Sequence, residues 1–219
     1  MNSKKYETII KGNYNLFPKK FMVEVISNDP KIYYIHNFVT EEEADYMIEI
    51  CKKYKEESTV EVSSDKIIIE KKLRTSSTAF LKKGMTDVIS RIENRAANFT
   101  NVSYDYIEPL QCVVYKNDEY YKQHLDTFNP NSIFLSHGGN RVGTIFVYLT
   151  TLQPEEEGCT YFPVLKHKIR PVKCNAIYFE NIKDGKVDER LIHEGETVKG
   201  FKKKYGINIW IRESKYSDI

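Results

Sequence analysis

The chain has 219 residues, 41% hydrophobic and 29% charged, a balance that suits one globular domain and excludes a disordered chain. Its 33 basic and 31 acidic residues leave a net charge of +2, which gives no footprint for a dedicated nucleic-acid binder; the run Lys202, Lys203, Lys204 is the sort of basic cluster that usually sits in solvent. No segment approaches the ~20 apolar residues of a membrane span, and MNSKKYETIIKGNYNLF lacks the apolar stretch of a signal peptide, so a cytoplasmic protein with no membrane partner is expected. Cys51, Cys112, Cys159 and Cys174 form no CxxC pair, and apolar neighbours such as Ile50 and Val113 favour buried free thiols.

Residues 1 to 30 read as a loosely patterned lead-in that ends at the turn signal Asn28-Asp29-Pro30. KIYYIHNF then predicts a strand, and TEEEADYMIEICKKY a helix. Thr40 with Glu43 makes a capping box, three acidic residues suit the helix N-terminus, and Ala44, Met47, Ile48, Ile50 and Cys51 supply an apolar side. A second helix is expected from about Met85 to Phe99, with Val88, Ile89, Ile92 and Ala96 spaced for burial. From Ile107 onward the pattern changes to short β-branched and aromatic runs: QCVVY, GTIFVYL, CTYFPV, HKIRPV, NAIYF, ERLIHE and KYGINIWI, most of them separated by turn residues. The expected fold is α+β but mostly β, a jelly roll buttressed by N-terminal helices. After the lead-in, residues 31–219 form a single domain, with helical support over about 31–106 and a jelly-roll core over about 107–212.

YKQHLDTF raises the question of a metal site. In a strand, His124 and Asp126 point to one face and present an imidazole beside a carboxylate. His193, at the end of ERLIHE, is the best candidate for a third ligand from an antiparallel neighbour. Two histidines and one carboxylate leave coordination positions open, as in non-haem Fe(II) oxygenases, and the same ligands also suit zinc. The alternative for the triplet alone is a pair of polar residues on a sheet's outer face. His36 is expected to cap a helix or lie on the surface, and His137 and His167 to lie on the surface.

Further motifs accompany this triplet. QCVVYKNDEYYKQHLD carries Tyr-x-x-His-x-Asp after a strand bearing Gln and Tyr, and RVGTIFVYL, GCTYFP, PVKCNAIYFEN, HEGETV and KYGINIW follow in order. KIYYIHNFVTEEEADYMIEICKK and LRTSSTAFL stand upstream. In this order the motifs resemble the catalytic domain of prolyl 4-hydroxylases, which are Fe(II)- and 2-oxoglutarate-dependent dioxygenases, over about residues 31 to 212. The chain departs from the family at Glu157-Gly158-Cys159-Thr160, where Gly-Gly often precedes the threonine. It departs also at Cys174, where glycine is usual, and at Thr197, where proline is common. The turn YKNDEYY lacks the usual glycine, and Asn117 is expected to take the left-handed conformation there.

The resemblance implies catalytic metal ligands His124, Asp126 and His193, with Fe(II) as the metal. It implies 2-oxoglutarate and O2 as cosubstrates and ascorbate as reductant. The cosubstrate's distal carboxylate would meet a lysine. Counting from His193 favours Lys203, a Gly-x-Lys pattern Lys202, and the gapless spacing to Trp210 Lys204; strand parity also favours Lys204, which shares a face with Gly206, Asn208 and Trp210. Tyr115 and Thr144 are implied as partners of the cosubstrate, against ordinary roles in core and strand. Arg74 and Ser76 are implied as substrate contacts, below a mobile loop and strand formed by STVEVSSDKIIIEKK; a surface salt bridge is the alternative for Arg74. Phe162, Ile177 and Phe179 would shield the reacting centre. The implied activity is hydroxylation of a prolyl residue in a peptide or protein, of the procollagen-proline type, with conversion of 2-oxoglutarate to succinate. The competing readings are the same chemistry on a lysyl residue, free amino acid or small molecule, and a catalytically silent jelly-roll binding module.

Overall fold

A computed structural model describes residues 6–7, 17–18, 21–54, 56–57, 60–63, 66–68 and 72–217. The first half forms β1 (Tyr6–Glu7), β2 (Met22–Asn28), β3 (Lys31–His36), α1 (Glu41–Tyr54), β4 (Glu56–Glu57), β5 (Val60–Ser63), β6 (Lys66–Ile68), β7 (Ser77–Phe80) and α2 (Asp87–Thr100). The second half forms β8 (Gln111–Tyr115), β9 (Tyr121–His124), β10 (Arg141–Tyr148), β11 (Thr160–Phe162), β12 (His167–Ile169), β13 (Ala176–Glu180), β14 (Ile182–Lys183), β15 (Lys186–Val187), β16 (His193–Gly195) and β17 (Lys204–Arg212). A nine-stranded sheet runs in the order β1-β2-β3-β13-β10-β17-β8-β7-β4, and a four-stranded sheet in the order β12-β11-β16-β9. Every strand pairing is antiparallel. The fold is the expected one, mostly β with two supporting helices around a jelly-roll core.

Both helices begin with side chains that satisfy their free N–H groups. Thr40 and Glu43 exchange bonds as the sequence suggests: the Glu43 amide donates to Thr40 Oγ1 at 3.1 Å, and the Thr40 amide to Glu43 Oε2 at 3.0 Å. Thr86 caps α2 by accepting from the Ile89 amide, and Asn101 ends that helix in the left-handed conformation. Ala44, Met47 and Cys51 from α1, with Ile89, Ile92 and Ala96 from α2, pack on Ile145, Val147, Ile207, Ile209 and Ile211 of the larger sheet. Each large aliphatic side chain buried there contributes about 1.5–3 kcal/mol.

Alternation along β17 builds the second face. Tyr205, Ile207, Ile209 and Ile211 belong to the core under the helices, so the intervening Lys204, Gly206, Asn208, Trp210 and Arg212 face the smaller sheet. Phe162 of β11 meets Phe179 of β13 edge-on at 5.3 Å, closing the interior between the two sheets.

Four sequence expectations change. Met22–Asn28 is a strand paired with β3, not loose lead-in, and Val23 is fully buried. ERLIHE is not a strand: Asp188 caps a 3-10 turn at Glu189–Leu191, and His193 opens β16 instead of closing a strand. Cys51 and Cys112 form a disulfide with Cα atoms 5.6 Å apart that joins α1 to β8; only Cys159 and Cys174 are buried free thiols. The left-handed residue in YKNDEYY is Asp118 (φ 63°) and not Asn117. Cys174 (φ 71°) and Gly158 (φ 68°) also have positive φ, so the cysteine carries a backbone conformation that glycine adopts more easily. Of STVEVSSDKIIIEKK, β5 and β6 pair as a hairpin; residues 58–59, 64–65 and 69–71 lie outside the described residues. Among the described residues no helix is long and apolar enough to cross a membrane.

The helices are tied together by a buried ion pair. Arg95, 3% exposed, donates to both carboxylate oxygens of Glu43 at 2.7 and 3.0 Å, and also to the Phe38 carbonyl. Burial works against ionisation of Glu43, but the Arg95 bonds and charge outweigh it and hold the carboxyl below its usual range. Arg95→Ala leaves that buried carboxylate only the Thr40 amide and the more exposed Arg91, whose Nε lies 3.3 Å away, and should lower the unfolding free energy by about 2 kcal/mol in urea titration. The stabilisation exists above the unfolded carboxyl pKa and disappears as pH falls through the folded value, so the deficit should shrink in acid. A loss below about 1 kcal/mol at neutral pH would contradict the assignment.

Candidate metal centre and groove

His124 ends β9 and His193 begins β16, and the two residues are direct cross-strand partners. Their ring centroids lie 4.3 Å apart. Asp126 stands just beyond the end of β9, so it joins the pair through the turn that follows the strand. His124 Nε2 lies 3.7 Å from Asp126 Oδ1, and His193 Nε2 lies 3.9 Å from Asp126 Oδ2. One ligand atom from each of the three falls within 4.8 Å of the others, a spacing that suits one ion.

Main-chain carbonyls fix the imidazoles. His124 Nδ1 lies 2.7 Å from the Lys122 carbonyl, and His193 Nδ1 lies 3.0 Å from the Leu191 carbonyl. A carbonyl only accepts, so each Nδ1 carries the proton and each Nε2 presents its lone pair to the centre. Burial, then repulsion from His193, push His124 down to about 3, which keeps it in the neutral form that ligates metals. Burial would raise the Asp126 carboxyl, but His193, His124 and the Thr144 hydroxyl outweigh it and hold it below the usual range. Thr144 Oγ1 donates to Asp126 Oδ2 at 2.7 Å and accepts from Asn181 Nδ2 at 3.0 Å, so a chain of bonds from β10 orients the carboxylate.

Behind the triad lies an inner cavity of about 30 Å³ lined by both sheets, among them Tyr115, Thr144, Phe146, Phe179 and Lys204. Lys204 is 1% exposed and forms no ion pair among the described residues, whereas Lys202 and Lys203 are exposed. Burial drives the Lys204 ammonium down to about 8. Tyr115 pairs with Lys204 across the strands, with the ammonium 5.1 Å from its ring. Thr144, expected beside a cosubstrate, both lines this cavity and holds Asp126. Phe162 and Phe179 pack on His193 at 5.4 and 5.0 Å.

In front of the triad a groove of about 750 Å³ opens to solvent. Arg74 lines it, buried and in no salt bridge among the described residues, and donates from Nε to Ser76 Oγ at 2.9 Å. Ser76 is buried behind Arg74 and lines neither cavity. Arg74 also lies over the Tyr121 ring, which stacks on His124 at 3.6 Å. Glu108 and Arg212, both in the groove, were not singled out by the sequence motifs. Glu108 accepts from Arg141 at 2.8 and 2.9 Å and from Arg212 at 2.9 Å, and Arg141 stacks on Trp210 at 3.4 Å. Burial opposes the Glu108 charge, and the two guanidinium groups more than restore it. Continuing the alternation of β17 past Trp210 would have found Arg212. His36 is neither cap nor free surface; it lies in β3 with Nε2 3.3 Å from Glu24. His137, expected on the surface, is buried.

Two imidazoles and a carboxylate on a jelly-roll interior are the donor set of non-haem Fe(II) oxygenases, and one that also suits zinc. Residues 110–212 match the family model of the 2OG-Fe(II) oxygenase superfamily. Probable prolyl 4-hydroxylase 10 of Arabidopsis thaliana is 31% identical over 215 residues, covering 89% of this chain and 73% of that protein. Prolyl 4-hydroxylase 1 of the same plant is 33% identical over 212 residues, with the same coverage. The solved viral collagen prolyl hydroxylase of Paramecium Bursaria Chlorella virus-1, as its 2OG complex, superposes with a TM-score of 0.65 at 26% identity, covering 83% of this chain and 95% of that one. The chain belongs to the prolyl 4-hydroxylase family, whose enzymes use Fe(II) and 2-oxoglutarate.

Proposed function

We propose that the chain hydroxylates prolyl residues of an extended peptide or protein, with Fe(II) held by His124, Asp126 and His193 and 2-oxoglutarate anchored by Lys204. The observation that carries this is the continuity of three parts: a buried cation at the back, an oriented two-histidine, one-carboxylate donor set in the middle, and an open groove in front. The donor set fits a hard-to-borderline divalent metal and leaves one side open for other ligands. When bound, iron and 2-oxoglutarate supply the oxidising chemistry, in which the cosubstrate becomes succinate and carbon dioxide while oxygen is inserted into a substrate C–H bond.

The protein's own residues position and insulate. His124 and His193 offer Nε2 because their Nδ1–H groups are occupied, and Thr144 holds the Asp126 carboxylate in place. Lys204 binds the distal carboxylate by a charge-assisted hydrogen bond in an interior where such a bond is strong. Phe162, Ile177 and Phe179 keep water from the reacting centre. Arg74, Tyr121, Arg141 and Trp210 line the groove with flat faces that suit proline rings. Ascorbate serves as the reductant in this reading.

With Fe(II), 2-oxoglutarate and prolyl peptides, the protein should form succinate together with a +16 product on proline. Replacing His124, Asp126 or His193 by Ala should abolish turnover and remove the rise in melting temperature on adding Mn(II). Thr144→Val should weaken the metal ~10–100-fold. A +16 product on a lysine or free amino acid redirects the target, and retained turnover in a ligand variant removes that residue from the centre.

Lys204 has a pH signature of its own. Its folded-state pKa of about 8 means that the charge is present below and lost above that value. The KM for 2-oxoglutarate should therefore be level below pH 8 and climb above it by up to about tenfold per unit. Lys204→Met should raise KM and flatten the profile, while Lys202→Ala and Lys203→Ala leave both unchanged. A level wild-type profile to pH 9.5 would contradict the anchoring role.

A further inference from the structure

A buried pair of hydroxyl groups stands at the wall of the inner cavity. Tyr148, the last residue of β10, is fully buried, packs edge-on against Phe146 at 5.2 Å, and lines neither the inner cavity nor the groove. Its Oη lies 2.9 Å from Oγ1 of Thr160, the first residue of β11, and this is the phenol's only hydrogen bond among the described residues. Thr160 does line the inner cavity, together with Lys204. Its cross-strand partner in β16 is Gly195, which puts no side chain beside it.

Either hydroxyl of such a pair can donate, but the surroundings of these two fix the direction. Were Thr160 the donor, the phenol hydrogen of Tyr148 would be buried with no acceptor, an arrangement that native interiors avoid. Tyr148 therefore donates and Thr160 Oγ1 accepts. The Thr160 hydrogen then has no acceptor among the described residues and is left to the cavity that the residue lines. The Lys204 ammonium, 5.1 and 5.6 Å from the Tyr115 and Phe146 rings, has no carboxylate bonded to it among the described residues either. Two donors that lack acceptors on one small cavity, one of them charged, complement a carboxylate, which only accepts.

We infer that Tyr148 is a positioning residue for the cosubstrate: by occupying the acceptor side of Thr160, it makes that hydroxyl a second donor, beside Lys204, to the far carboxylate of 2-oxoglutarate. This rests on the anchoring of 2-oxoglutarate by Lys204. Tyr148 acts through Thr160 alone. Without the phenol, the Thr160 hydroxyl is free to rotate and to turn a lone pair towards the carboxylate in place of its hydrogen.

Two ligands separate this role from ordinary packing. 2-Oxopentanoate carries a methyl group where 2-oxoglutarate has its far carboxylate, so it shares the keto-acid end and lacks the group that Thr160 would meet. Calorimetric titration of each into Mn(II)-loaded protein gives two dissociation constants, and their ratio is independent of turnover and of the fraction folded. Tyr148→Phe should weaken 2-oxoglutarate about fivefold, the worth of one hydrogen bond, and leave 2-oxopentanoate unchanged. Thr160→Val should weaken 2-oxoglutarate about tenfold, and Thr160→Ser, which keeps the hydroxyl, should retain most of the affinity. In the Thr160→Val background, Tyr148→Phe should cost nothing more, because the two residues act as one unit. Equal losses for both ligands in Tyr148→Phe would overturn the inference, as would a loss that persists undiminished in the Thr160→Val background. If the wild-type protein does not prefer 2-oxoglutarate to 2-oxopentanoate, the Lys204 anchor falls and this inference with it; a wild-type preference that Tyr148→Phe leaves intact sinks the inference alone.

Discussion

The site depends on a single cross-strand pair. His124 and His193 sit opposite each other in the smaller sheet, each with Nδ1 against the carbonyl two residues before it. Register and tautomer are thereby set together. A one-residue slip of β9 against β16 would turn one imidazole away from the interior and break the donor set. The carboxylate is less firmly built into the sheet, since Asp126 lies past the end of β9, and its orientation comes from Thr144 and Asn181 across the interior.

The larger sheet contributes the opposite wall by simple alternation. Every second residue of β17 is packed under the helices, and the remainder form a series from the buried Lys204 through Asn208 to Trp210 and Arg212 at the groove. The inner cavity, the donor triad and the groove are therefore successive levels of one interior. The helices never touch this chemistry; they seal the outer face of the strand that carries it, and the Glu43–Arg95 pair holds them to each other.

Much of this was legible in the chain because it rests on local rules. The Thr40–Glu43 cap, the strands Gln111–Tyr115 and Lys204–Arg212, and the inward side that Lys204 shares with Gly206, Asn208 and Trp210 all follow from spacing and period. What escaped depends on distant segments. Cys51 and Cys112 are 61 residues apart, and only the packing of α1 on the sheet brings them together. His137 reads as a loop residue until the chain's end folds over it. Glu108 looks like an ordinary surface acid, yet it sits between two guanidinium groups that come from β10 and β17. Met22–Asn28 is a different case: its valines alternate as a strand's should, and the signal was present but masked by the polar residues before it.

The central claim is that two imidazoles and one carboxylate hold a single metal, with a cosubstrate spanning from it to Lys204. Anomalous diffraction from crystals grown with Mn(II) and 2-oxoglutarate tests this directly. The account requires one peak bonded to His124 Nε2, the Asp126 carboxylate and His193 Nε2, and ligand density that runs from the metal to Lys204 Nζ. A metal bound elsewhere, or a cosubstrate whose far carboxylate ends away from Lys204, would contradict it.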